Sequence, residues 1–130
     1  MGKQLLSLAS LSGLSAVALG AFGAHGLQGK LSERMLEAYQ TAVQYQFIHT
    51  LALLAVALLI LKYESRRSLV IAACGFLAGI IMFSGSLYLM ALGGPRWMGP
   101  VTPLGGLSFM VGWGGLFWFA WRLSDSCNTK

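Results

Sequence analysis

The chain has 130 residues, of which 56% are hydrophobic and only 10% charged, with nine basic against four acidic side chains and a net charge of +5. A water-soluble domain carries about a quarter charged residues, so this chain cannot coat a soluble globule. Its apolar content excludes disorder, and its two cysteines exclude a disulfide scaffold. What remains is an integral membrane protein.

The charges mark out the spans. None occurs in residues 4–29, 38–61, 68–95 or 97–121, stretches of 26, 24, 28 and 25 residues. A helix rising 1.5 Å per residue crosses about 30 Å of hydrocarbon in about 20 residues. Each stretch therefore holds one crossing. Backbone groups in lipid must pair within their own segment, and the apolar runs do not alternate, so the spans are helices rather than barrel strands. The expected fold is an all-α integral membrane protein. It is one transmembrane domain over residues 1–130, a four-helix bundle with spans at about 5–24, 43–61, 68–92 and 103–122.

In chain order, span 1 carries Ser12, Ala16, Gly20 and Ala24 every four residues, a small-residue face that lets a neighbouring backbone approach. Lys3, an apolar run and the small residues at 21–24 also resemble a signal peptide, but we read the segment as a retained helix. Span 2 is preceded by an amphipathic N-terminal extension. Ser32 caps it, Glu33 suits its positive end, and Met35, Tyr39, Ala42 and Gln46 share one face against Glu33, Glu37, Gln40 and Gln44. One helix or a kinked pair is expected from Ser32 to Leu61, its first part lying in the interface or projecting beyond the bilayer. Span 3 has Gly75 and Gly79 in GxxxG spacing. Residues 93–102 are turn-rich, and Thr102 followed by Pro103 reads as an N-cap and first helical residue. Span 4 aligns Gly105, Ser108, Gly112 and Gly115. Trp97 suits one interface, Trp118 and Trp121 the other, and Trp113 is expected between helices. A shift of 62 residues aligns Gly13 with Gly75, Ala16 with Ala78, Gly23 with Gly85 and Leu27 with Leu89, the trace of a duplicated hairpin.

Four crossings place both termini on one side. Six basic residues share that side and three lie opposite, so the positive-inside rule puts the N and C termini in the cytoplasm. The basic residues are dispersed among short loops, which excludes a nucleic-acid interface. The expected partners are the lipid bilayer and a second copy or a larger membrane complex.

Chemistry inside a membrane falls to its few polar side chains. His25 ends span 1. His49 lies in span 2 with Tyr45 and Gln46 four and three residues before it, on one helix face. Span 3 adds Ser84, Ser86 and Tyr88, and the entry to span 4 adds Thr102. All eight fall in the half of the bundle away from the termini, which points to an intramembrane polar cluster. Three roles are open to it: hydrogen bonds that join helices, a solute or proton path using His49, or a haem or quinone site. Enzyme signatures are missing. There is no membrane-embedded carboxylate, no third ligand for a catalytic zinc and no GxSxG, Walker or HExxH motif. No catalytic, cofactor or metal residue is assigned, and the expectation is a non-enzymatic structural or accessory protein without cofactors. Cys74 and Cys127 read as apolar filler and tail residue.

The segments Ala18–Leu27, Thr41–His49, Phe83–Tyr88 and Val101–Gly106 together resemble the YgdD-like family of small bacterial inner-membrane proteins, also catalogued as domain of unknown function 423. The resemblance covers about residues 5 to 121, and its specificity lies in the order and spacing of the four segments. A small eukaryotic transmembrane family looks related. The resemblance implies a multi-pass, four-helix protein of the bacterial inner membrane. It implies no reaction and carries over no catalytic residue.

Overall fold

The computed structural model describes residues 1–63 and 66–127, the side chains of 96 and 124–127 excepted. Among the described residues, four helices are long and apolar enough to cross a membrane: α1 (Gly2–Gly26), α2 (Glu33–Tyr63), α3 (Arg67–Ala91) and α4 (Val101–Cys127). The all-helical, four-span architecture expected from the charge gaps is therefore present. α1, α2 and α4 outrun the expected spans at both ends, whereas α3 matches its span to within one residue, because the hydrocarbon sets only a minimum length and a helix continues until a turn stops it.

The ends show which local signals held. Ser32 caps α2: its Oγ accepts from the Met35 N–H at 3.4 Å, and its carbonyl accepts from the Leu36 N–H at 2.9 Å. The 31 residues of α2 run unbroken, about 46 Å at 1.5 Å each, so the helix overshoots the hydrocarbon by several turns. Its amphipathic beginning packs Tyr39 and Leu36 against Leu27 at the end of α1 and Ala91 at the end of α3. Met35 is exposed, unlike Tyr39, Ala42 and Gln46 of the face it was expected to share. α3 ends in a Schellman turn. Gly93 takes φ +90, which a side chain would resist, and the Gly94 N–H reaches back to the Leu89 carbonyl at 2.7 Å.

At α4 the expectation needs correcting. The helix begins at Val101, so Thr102 lies inside the first turn and does not cap it. Its hydroxyl is engaged by Ser86 instead, at 2.7 Å. Pro103 remains within the first turn, where a missing N–H costs nothing. At the other end α4 continues past Arg122 through Cys127, which therefore belongs to the helix and not to a tail.

α2 is the central helix. It packs against α1 on one side and α3 on the other, while α4 packs mainly along α3. Leu5 and Ala9 of α1, Leu53, Val56 and Ile60 of α2, Leu69 and Phe76 of α3, and Phe109 and Phe119 of α4 share one apolar core. The glycines expected at helix contacts are there. A Cβ on Gly75 would stand 2.6 Å from the Gly112 backbone nitrogen, one on Gly105 would meet the Phe83 backbone, and those on Gly79 and Gly112 would strike the rings of Phe109 and Phe76. Gly20 faces Val43 of α2 more loosely, at 3.3 Å. α3 also holds a feature that no residue pattern announced. Residues Ile80–Ser84 form a π-helical turn, and the Gly85 N–H bonds the Ile80 carbonyl five residues back. A π turn inserts one residue into the ladder and re-aims everything downstream.

Candidate functional site: an intramembrane polar cluster

Gln46 is the hub. It sits on the buried face of α2 at 5% exposure. Its Nε2 donates to the Ser12 carbonyl at 3.0 Å and to Ser15 Oγ at 2.9 Å, both on α1. Its Oε1 accepts from the Tyr88 hydroxyl at 2.7 Å, on α3. Because a carbonyl can only accept, these partners fix the amide orientation. One side chain thus joins three helices and satisfies both amide protons. Two further ties bind α1 to α2: Ser12 Oγ with Thr50 Oγ1 at 2.6 Å, and the Tyr39 hydroxyl donating to the Leu19 carbonyl at 2.9 Å. The Tyr39 and Tyr88 rings meet edge to face at 5.1 Å, so α1, α2 and α3 are laced together by one connected group.

His49 belongs to a different environment. Its Nδ1 lies 2.7 Å from the Tyr45 carbonyl, one turn back on its own helix. The carbonyl must accept, so Nδ1 carries a proton. The ring lies flat on Phe109 of α4, with centroids 3.5 Å apart and planes 11° from parallel. Tyr45, Phe76 and Trp113 complete an aromatic box at 5.7 to 6.2 Å. His49 therefore reaches α3 and α4 through ring contacts, without a hydrogen bond to either.

The eight expected residues divide as follows. Gln46 and Tyr88 join the hydrogen-bonded group. Ser86 and Thr102 pair with each other between α3 and α4, and Ser86 also donates to the Phe83 carbonyl at 3.0 Å. His49 and Tyr45 form the aromatic box, with Tyr45 stacked on Phe83 at 4.5 Å. Ser84 is 1% exposed, and its Oγ alone among the buried side-chain atoms described has no hydrogen-bond partner. His25 does not join the cluster. It is exposed on the last turn of α1 and enters none of these bonds or ring contacts among the described residues. Trp113 is half exposed, with one edge on Phe76 and His49, rather than enclosed between helices. Ser12, Ser15, Thr50 and Tyr39 were not assigned to the cluster from the sequence. A serine on a small-residue stripe is the signal that was available: Ser12 sits at the packing spacing yet brings a hydroxyl to the interface. No group of three or more His, Cys, Asp or Glu able to hold a metal occurs among the described residues.

Four apolar crossings around a buried, cross-bonded polar group define a multi-pass helical membrane protein. A family model described as "Protein of unknown function (DUF423)" matches residues 19–106, and the chain belongs to that family. The match covers α2, α3 and their polar residues, and is narrower than the resemblance read from the sequence. Among relatives, the UPF0382 membrane protein YwdK of Bacillus subtilis is 42% identical over 87 residues, 67% of this chain and 71% of the relative. A UPF0382 membrane protein of Haemophilus influenzae is 40% identical over 83 residues, 64% of this chain and 65% of its own. The UPF0382 inner membrane protein YgdD of Escherichia coli is 45% identical over 76 residues, 57% of this chain and 56% of its own. No solved structure matches the chain.

Proposed function

We propose that this protein is a non-enzymatic, structural or accessory component of the bacterial inner membrane, with its termini in the cytoplasm, that acts through its helix surfaces. The observation that supports this reading is how the polar cluster uses its atoms. Gln46, Tyr88, Thr50 and Tyr39 direct side-chain hydrogen bonds to a neighbouring helix, and Ser12 and Ser15 receive them on α1. Such bonds are worth about 0.6 kcal/mol each in membrane proteins, enough in combination to fix helix order. The name of the Escherichia coli relative and the excess of basic residues on the terminal side favour this membrane and this orientation. Extraction in a mild detergent followed by crosslinking tests the role: a defined partner or homo-oligomer is expected, and a strictly monomeric protein without crosslinkable neighbours would contradict it.

A second reading, a path for protons or a small solute past His49, is favoured by the unpaired Ser84 hydroxyl in the π turn, since π turns recur at functional sites. On that reading reconstituted vesicles show a flux that His49→Ala abolishes while the fold is retained. Vesicles of the wild-type protein without flux, across pH and candidate solutes, remove it.

A further inference from the structure

One face of the α3–α4 pair is grooved where its glycines lack side chains. Near the terminal end a cavity of about 380 Å³ is lined by Arg67, Ser68, Ile71, Gly114, Gly115 and Trp118. A second, of about 360 Å³, is lined by Gly75, Ser108 and Val111 among others. Ile71 and Gly75, like Val111 and Gly115, are four residues apart, so the two cavities stack on successive turns of the same face. Ser68 to Gly75 spans about 10 Å of helix, and the second cavity carries the groove further, to a depth comparable with one leaflet of a bilayer whose hydrocarbon is about 30 Å thick.

The head of this groove is cationic. The chain places six basic and two acidic residues on the terminal side, against three and two on the other. Arg67 itself lines the cavity and is in no ion pair among the described residues. Arg122 lies over the ring of Trp118, itself a lining residue, at 5.3 Å. An apolar channel of leaflet depth beneath a guanidinium at headgroup level matches one ligand chemistry, a phosphate carrying long acyl chains.

We propose that this groove is a binding site for an anionic phospholipid, with its phosphate on Arg67 and an acyl chain lying over Gly114 and along Val111 and Ser108. The glycines then have a purpose beyond helix contact. Gly115 and Gly75 bring the backbones together, whereas Gly114 has open space where its Cβ would stand and contributes only to the groove.

The test uses the full chain in a neutral detergent, with retained lipid measured by native mass spectrometry. Phosphatidylglycerol should be held in preference to phosphatidylcholine. Arg67→Gln should lower phosphatidylglycerol retention about fivefold, the share of one basic residue near a membrane surface. Gly114→Leu, whose Cβ meets no neighbour, should reduce retention of both lipids while leaving elution volume and helicity unchanged. Lys3→Gln, on the same side but outside the groove, should change neither. Equal retention of the two lipids, indifference to Arg67→Gln, unchanged retention in Gly114→Leu, or full competition by inorganic phosphate alone would each overturn the proposal.

Discussion

The two hairpins of this molecule solve the same problem by different means. α1 and α2 are joined by polar bonds: Ser12 to Thr50, Gln46 to Ser12 and Ser15, Tyr39 to Leu19. α3 and α4 are joined chiefly by close approach, Gly75 against the Gly112 backbone, Gly105 against Phe83, and Gly115 against Ala72. The 62-residue correspondence expresses the contrast. Gly13 and Gly75 both face the partner helix, but Gly13 meets the Thr50 side chain at 3.6 Å while Gly75 meets backbone at 2.6 Å. Gly23 is tight against Tyr39, whereas its counterpart Gly85 has nothing near it, so the correspondence does not extend along the whole hairpin. In lipid there is no water exclusion to drive helices together. One hairpin substitutes hydrogen bonds and the other van der Waals contact. Gln46, through Tyr88, is where the two systems meet.

That contrast can be broken most severely on the glycine side. Gly75→Leu sets a branched side chain against the Gly112 and Ser108 backbones, which cannot give way as a side-chain tip can. A loss of about 3 kcal/mol, or of folded protein altogether, is expected in thermal unfolding in detergent. On the polar side, Gln46→Leu removes three helix-joining bonds and should cost about 2 kcal/mol, with α1 released first, as seen by faster proteolysis or hydrogen exchange in its residues. A single tie is smaller: Thr50→Val should cost about 0.6 kcal/mol, and much less when Ser12 is already alanine. Smallest of all, Ser84→Ala should be neutral or slightly stabilising, because the hydroxyl it deletes has no partner to lose. A marked destabilisation would show that Ser84 takes part in a bond the static fold does not reveal.

The spans were legible because lipid imposes a single rule, a charge-free stretch of sufficient length, and the sequence meets it four times. Ser32 was legible as a cap for the same reason: the signal is local. Thr102 misled because a threonine before a proline satisfies the local rule, while the nearby Ser86 hydroxyl decided its use. The π turn at Ile80–Ser84 carried no local mark, since nothing in that run forbids a regular helix and packing against α4 sets the register. The polar residues could be listed but not partnered. His25 and His49 look alike in the sequence, yet six residues of loop at 27–32 and the direction of α2 set one at an exposed helix end and the other in an aromatic box. Gln46 emerged as the hub only when three helices converged on it.

The most direct measurement is a double-mutant cycle on Gln46 and Tyr88, using Gln46→Leu, Tyr88→Phe and the pair, with unfolding free energies measured in bilayers alongside proton flux through the same vesicles. If the polar cluster exists to join the hairpins, the two substitutions should couple by about 1 kcal/mol and none of the variants should alter flux. Independent, additive losses of stability together with a flux that the substitutions abolish would contradict it.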